Sequence, residues 1–170
     1  YNSEMSTMIV ETTEQTWKKA GMEKASEGET VAYVSNLYAD LLDGHPIITN
    51  RSVWRNFPMI RCETWVKDNL VIMGDCAHTA HYSIGSGTKL AMEDAIALFE
   101  CCKQEANPRE ALKLYDASRR DEVERTQHAA DVSLSWFENV RRYWGMDPVQ
   151  FNFSLMSVSY THLRAHETYD

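Results

Sequence analysis

The chain has 170 residues, of which 44% are hydrophobic and 25% are charged, and its net charge at neutral pH is −8. This composition is that of a globular protein and excludes fibrous, low-complexity and disordered classes. The acidic balance argues against a broad surface for nucleic acid or anionic membrane, so we expect small molecules or proteins as partners. The longest stretch with almost no charge, 69–80, is far shorter than the roughly 20 apolar residues that span a bilayer. We therefore expect no membrane segment and a cytoplasmic location.

The first third of the chain predicts helices between short strands. Two capping-box pairs, Thr12 with Gln15 and Ser26 with Glu29, predict the starts of two helices, and Gly21 ends the first. Runs of β-branched and apolar residues predict strands over 6–11, 52–57, 60–66 and 70–73.

The pattern then changes to a buried strand, a loop and two long helices. The run 70–73 is apolar without alternation, which predicts a strand buried on both faces of a parallel sheet. A loop with Gly85 and Gly87 follows, and apolar spacing predicts a helix over 88–103. Asn107-Pro108 is a cap and first-turn pair that predicts the start of another long helix. The predicted fold class is α/β (α+β).

The segment 69–98 carries the residues best suited to chemistry. Gly74-Asp75 places a carboxylate at the carboxyl end of the predicted strand, where open α/β sheets bind ligands, and Asp75 could accept from sugar or ribityl hydroxyls. Gly85 and Gly87 allow the backbone to approach a flat ligand, and the helix that follows turns free N–H groups towards it. A Gly-x-Gly alone is equally typical of a tight turn.

This segment resembles the second flavin-binding motif of the class A flavoprotein monooxygenases, the group built like para-hydroxybenzoate hydroxylase. The family pattern is Gly-Asp-Ala-Ala-His, then Pro, then Gly-x-Gly, then Glu/Asp-Asp-Ala. The matching positions are Gly74, Asp75, Ala77, His78, Gly85, Gly87, Asp94, Ala95 and Leu98. Ser83 stands where the motif has its proline, and Thr88-Lys89 stands where an asparagine follows the second glycine.

Over about 6–155 the chain is similar to salicylyl-CoA hydroxylases and anthraniloyl-CoA monooxygenases, and more loosely to the violacein-pathway indole hydroxylases. This resemblance implies an enzyme that uses FAD, NAD(P)H and O2 to hydroxylate an aromatic ring, expected to be carried as a CoA thioester. The family opens with a Gly-x-Gly-x-x-Gly turn that holds the ADP half of FAD, and the seven glycines here contain no such turn. The resemblance therefore implies the C-terminal fragment of a flavoprotein monooxygenase fold, inactive alone.

The resemblance also assigns residues to roles. The implied FAD contacts are Gly74, Asp75, Ser83, Ile84, Gly85, Ser86, Gly87 and Thr88. The implied contacts to an aromatic substrate are His81, Tyr82, Trp54 and Phe57. No side chain is assigned as catalytic, because the protein contributes positioning, water exclusion and electrostatics while the cofactor carries the chemistry.

The same resemblance implies a division of the chain. The expected parts are a substrate-domain segment at 1–68, the end of the FAD-binding domain at 69–106, C-terminal helices at 107–155 and a tail at 156–170. That tail resembles translated sequencing-adapter DNA, so we expect it to be non-native.

Several of these residues also have interpretations in which they take no part in catalysis or ligand binding. Asp75, His78 and His81 have metal-like spacing, but one loop rarely supplies three ligands without a fourth, so we expect no metal. We expect His78 and the pair Glu93-Asp94 to be structural, and Arg119-Arg120 to lie on a solvated helix face. The remaining alternatives are an indole-type pigment hydroxylase of the same family and a non-catalytic α/β interaction domain.

Overall fold

The computed structural model describes residues 2–157. The chain divides into two compact units, Tyr1–Asn56 and Phe57–Asp170. The described residues end at Ser157, so the adapter-like peptide expected at the C-terminus lies outside them from residue 158 onwards. The division into substrate and flavin domains at residue 68 stays a prediction.

Two helices of the first unit begin at local caps. Helix α2 (Glu27–Leu37) opens with the predicted capping box, in which the Glu29 N–H donates to Ser26 Oγ at 3.3 Å and the Ser26 N–H donates to Glu29 Oε2 at 2.8 Å. Helix α1 (Glu14–Lys19) begins one residue later than predicted, with Thr13 as its N-cap. The predicted pair of Thr12 with Gln15 is therefore wrong, because Thr13 Oγ1 accepts from the Thr16 N–H instead. Such caps need only residues three apart, which is why the sequence locates both helix starts to within one residue.

The rest of the first unit differs from the prediction. Helix α2 ends at Leu37, and the short α3 (Ala39–Leu42) follows it after Tyr38 and ends at Asp43 with φ +45°. The predicted strands at 6–11 and 52–57 are wrong, because those residues form no strand in the structure. Strand propensity is realised only where a neighbouring strand offers a hydrogen-bonding ladder, and among residues 2–157 none pairs with either segment.

The second unit holds a single small sheet among its described residues. Strand β1 (Val66–Lys67) pairs antiparallel with β2 (Leu70–Val71). The predicted parallel strand buried on both faces is wrong, since Leu70 is 69% exposed and β1 is the only strand that pairs with β2 in the part of the chain described. Of the predicted strand at 60–66, only the isolated bridge of Arg61 with His78 and the first residue of β1, Val66, are formed. The described fold is therefore mostly helical with a two-stranded sheet.

Two long helices dominate the second unit. Helix α4 (Gly87–Gln104) is followed by α5 (Pro108–Glu138), which has 31 residues. The predicted cap of α5 is confirmed, because Asn107 Oδ1 accepts from the Arg109 N–H at 3.0 Å. A further helix, α6, covers Pro148–Ser157.

The hydrophobic core of this unit lies where α4 and α5 pack on the segment around the small sheet. Its buried members are Trp65, Ala77, Leu90, Cys101, Tyr115 and Val123. Two 3-10 turns, Gly74–Cys76 and Tyr82–Ile84, connect the sheet to α4. Within residues 2–157, no helix is both long enough and apolar enough to cross a membrane.

Candidate functional site

The turn Gly74–Cys76 packs directly against α4. Gly74 has φ +57°, and a Cβ at this position would lie 3.2 Å from the Cβ of Ala91. Only glycine allows both the left-handed backbone and this close approach. The next residue, Asp75, is exposed, and no hydrogen bond or ion pair engages its carboxylate among the residues described. The turn therefore presents a carboxylate that is available as an acceptor.

A buried carboxylate holds this turn in place. Asp94, in the middle of α4, is fully buried. It accepts from the Gly74 N–H at 2.9 Å and is paired with His78 Nε2 at 2.7 Å. It also accepts from Arg119 Nε at 3.0 Å. The expected hydrogen-bonded, structural roles of His78 and Asp94 are thus confirmed.

Ionisation follows from these contacts. Burial by itself raises the pKa of Asp94, but the hydrogen bonds from its three donors outweigh burial, so the net pKa lies below its usual value. Burial likewise raises the pKa of Tyr115, which lies in the same core. At neutral pH the network therefore contains an ionised Asp94 beside a neutral Tyr115.

The prediction that Arg119 and Arg120 form a solvated helix face is wrong. Arg119 is only 9% exposed and bridges Asp94 to Glu93, whose Oε2 lies 3.2 Å from Arg119 Nη2. The Arg120 guanidinium lies over the ring of Trp65, 4.7 Å from its centroid. Charge pattern alone could not show that this face of α5 turns inward.

The spacing of α5 does contain a signal for the buried arginine. Arg119 lies four residues after Tyr115 and four before Val123, and both neighbours are fully buried. It therefore belongs to the apolar stripe of the helix. An arginine on such a stripe requires a buried acid as partner, which the sequence offers in Asp94.

The glycine loop leaves open space beside the start of α4. Gly85 has φ +65°, and a Cβ placed on Gly85 or Gly87 would meet no atom within 4 Å. Ser86 is the N-cap of α4 but makes no capping hydrogen bond to it, because its Oγ donates instead to the Ile84 carbonyl at 3.3 Å. The first N–H groups of the helix therefore lack a side-chain cap, and its positive dipole end is available to a ligand.

The predicted flavin contacts fall in two neighbouring places of the second unit. Gly74 and Asp75 lie in the turn that packs on α4 at Ala91. The other predicted contacts lie in the loop and first turn of α4: Ser83, Ile84, Gly85, Ser86, Gly87 and Thr88. Whether FAD contacts these residues stays a prediction.

Three of the four predicted substrate residues are brought together. The rings of Phe57 and Tyr82 meet edge to face with centroids 5.4 Å apart, and His81 lies 4.6 Å from Tyr82. They form an aromatic surface that directly precedes the glycine loop. Trp54 belongs to the first unit, so its predicted role stays a prediction.

Gln127 of α5 fixes the segment that follows Phe57. Its Nε2 donates to the carbonyls of Ile60 at 2.8 Å and Thr79 at 2.7 Å. The Thr79 hydroxyl in turn accepts from the Ile60 N–H and donates to the Pro58 carbonyl. Sequence reasoning missed Gln127, because its partners lie 48 and 67 residues away.

A hydrogen-bond chain ties the loop itself to α5. The Ser83 hydroxyl lies 2.9 Å from His81 Nδ1 and donates to the Ser133 hydroxyl at 2.9 Å. Ser133, which the sequence did not single out, is buried on α5. No cluster of three or more metal-ligating side chains occurs within residues 2–157.

Comparison with known proteins assigns the family. Residues 3–130 match the model described as FAD binding domain. The chain belongs to this family of FAD binding domains. Over 166 residues it is 43% identical to salicyloyl-CoA 5-hydroxylase of Streptomyces sp, covering 91% of this chain and 32% of the relative. The predicted resemblance to flavoprotein monooxygenases is thereby confirmed.

Two further relatives have related names. The chain is 44% identical over 106 residues to 3-hydroxy-4-methyl-anthranilyl-[aryl-carrier protein] 5-monooxygenase of Streptosporangium sibiricum, covering 62% of this chain and 30% of the relative. It is 31% identical over 152 residues to protodeoxyviolaceinate monooxygenase of Chromobacterium violaceum, covering 89% of this chain and 41% of the relative. The chain thus spans between about a third and two fifths of the length of these curated relatives.

Proposed function

We propose that this chain supplies the ribityl and ring side of the FAD site in a monooxygenase that hydroxylates an aromatic ring. The observation that carries the proposal is the start of α4, where no side chain caps the helix and Gly87 has open space around it. Ala91, one helical turn further along α4, packs against Gly74 of the Gly74–Cys76 segment. An anionic or electron-rich edge of a flat ligand is stabilised at such a helix end.

Each part of the site has a distinct task in this proposal. The exposed Asp75 carboxylate accepts from ribityl hydroxyls. The backbone at Gly85 and Gly87 lies against the ring system, because no side chain intervenes. FAD, when bound, supplies the redox chemistry with NAD(P)H and O2. The chain itself binds the cofactor, orients it and excludes water.

The proposed substrate is an aromatic ring held as a CoA thioester. The relatives support this class, since one is named for salicyloyl-CoA and another for an anthranilyl group on an aryl-carrier protein. The aromatic surface of Phe57 and Tyr82 offers ring-to-ring contact next to the loop. The substrate ring would therefore lie between this surface and the cofactor.

Flavin binding by the chain tests the cofactor part of the proposal. Because the chain contains no Gly-x-Gly-x-x-Gly turn for the pyrophosphate, FAD and riboflavin should bind with dissociation constants within a few fold of each other. Titration with quenching of flavin fluorescence measures both. If neither flavin binds up to the solubility limit of riboflavin, or if FAD binds far more tightly than riboflavin, this assignment of the site is wrong.

A chimera tests the reaction. Residues 2–157 replace the aligned third of the Streptomyces salicyloyl-CoA 5-hydroxylase, and product formation is followed with salicyloyl-CoA, free salicylate and indole. We expect NADH- or NADPH-dependent hydroxylation of the thioester. A flavin-loaded chimera that oxidises NAD(P)H and hydroxylates only indole would instead support the pigment-hydroxylase alternative.

A further inference from the structure

We propose that Ser133 is a positioning residue for the glycine loop, through the hydrogen-bond chain Ser133–Ser83–His81. Its role is to hold the loop against α5, where the family motif uses a proline. The inference rests on the proposed function for the identity of the ligand at the loop. The hydrogen-bond chain itself, which we call the tie, involves only residues of this protein and does not depend on a ligand.

The chain of contacts joins two buried groups. Ser133 is 3% exposed and His81 is 9% exposed, and each lies 2.9 Å from the Ser83 hydroxyl between them. A buried polar group costs free energy unless it is paired, so three polar groups in a row specify one loop position. The tie joins residues that are 50 positions apart in the sequence.

The loop needs such a tie. Ser83 occupies the place of the motif proline, whose ring would restrict the backbone φ at that residue. Gly85 and Gly87 follow within four residues and have little conformational restriction of their own. A hydroxyl anchored on α5 supplies the restriction that serine lacks. Ser133 lies beyond residues 3–130, so the anchor comes from outside the region matched by the family model.

The contacts of His81 and Ser83 lie inside the 3-10 turn that leads to Gly85. His81 Nδ1 lies 2.9 Å from the Ser83 hydroxyl and accepts from the Ser83 N–H at 3.4 Å, so His81 is the N-cap of this turn. The Ser83 hydroxyl links the capped turn to Ser133 of α5. Removing Ser133 Oγ removes this contact between the turn and α5, so the turn should open more often and the surroundings of His81 Nδ1 should change.

The experiment compares Ser133→Ala with Ser135→Ala, a matched change at an exposed serine two residues along the same helix. Two readouts are measured by NMR on the full chain without flavin: the ¹⁵N shifts of His81, and amide exchange at Gly85, whose N–H donates to the Tyr82 carbonyl at 2.9 Å. Ser133→Ala should change the His81 ¹⁵N shifts and speed Gly85 exchange about 5- to 10-fold. Ser135→Ala should change neither.

General destabilisation is separated by an internal reference. The Ile72 N–H donates to the Trp65 carbonyl at 2.9 Å beside the small sheet and away from the glycine loop, so the ratio of Gly85 to Ile72 exchange reports the loop alone. Ser83→Ala cuts the same tie from the partly exposed side, and it should raise this ratio to the same extent even if Ser133→Ala fails to fold. An unchanged ratio in Ser83→Ala, or equal behaviour of the two α5 variants, overturns the proposal.

Flavin titration then distinguishes the two proposals. If the loop binds flavin, Ser133→Ala should weaken riboflavin binding about 3- to 10-fold relative to Ser135→Ala. An altered exchange ratio in a chain that binds no flavin at all overturns the proposed function while supporting the tie. Unaltered riboflavin affinity in a variant with an altered ratio overturns the positioning role.

Discussion

Replacing Asp94 with asparagine should destabilise the second unit strongly. The carboxylate is fully buried and is paired with Gly74, His78 and Arg119 at 2.7 to 3.0 Å. Asparagine has nearly the same shape but offers one carbonyl oxygen and one NH2 group. Its NH2 group must face at least one of these donors, which leaves a buried donor unpaired.

The magnitude follows from the charges involved. Removing one partner of a buried ion pair costs about 3–5 kcal/mol, and a single hydrogen bond to a charged group contributes about 1.5–3 kcal/mol. Arg119 keeps its contact with Glu93 at 3.2 Å, which reduces the loss. We therefore expect the free energy of unfolding to fall by about 3 kcal/mol.

Urea unfolding of the full chain, followed by circular dichroism, measures this change. The matched control is Glu93→Gln, the neighbouring carboxylate, whose side chain is 27% exposed and pairs with Lys89 and Arg119. It should cost less than about 1 kcal/mol. If Asp94→Asn and Glu93→Gln differ by less than 1 kcal/mol, the Asp94 network does not hold the turn as we describe.

Three further predictions concern the same site. The pKa of Asp94 is lowered by folding, so its stabilisation is present above about pH 4 and is lost as the pH falls further; Asp94→Asn should remove this part of the acid sensitivity. Gly74→Val should destabilise the fold by about 2 kcal/mol or more, because φ is +57° and the added Cβ would lie 3.2 Å from the Cβ of Ala91. Gly87→Val should leave stability nearly unchanged, because an added Cβ meets no atom within 4 Å, but it should weaken flavin binding. Asp75→Ala should weaken riboflavin binding about 10- to 100-fold, since a charged hydrogen bond is lost.

These predictions have separate controls. Acid unfolding from pH 6 to pH 3 compares wild type with Asp94→Asn, and parallel curves would contradict the lowered pKa. Equal stability of the Gly74 and Gly87 variants would contradict the close packing of the turn. Asp121→Ala removes an exposed carboxylate on α5 and should leave flavin affinity unchanged. An equal effect of the Asp75 and Asp121 variants would place the polyol elsewhere.

The sequence by itself determined the features that depend on near neighbours. The capping box of Ser26 and Glu29 and the cap of α5 at Asn107 join residues two or three positions apart, and both occur as predicted. The motif from Gly74 to Leu98 likewise identified the family, because its glycines and acids are spaced within one turn, loop and helix.

Only the tertiary structure decided which distant residues meet. Strand formation at 70–73 depends on a partner strand, and the described chain pairs it with a short antiparallel neighbour rather than a parallel sheet. Arg119 reaches Asp94 across 25 positions and Ser133 reaches Ser83 across 50. Arg119 looked solvated from the sequence but is buried and paired with Asp94. The packing of α5 on α4, and not the local composition of α5, determines which face of this helix is exposed to water.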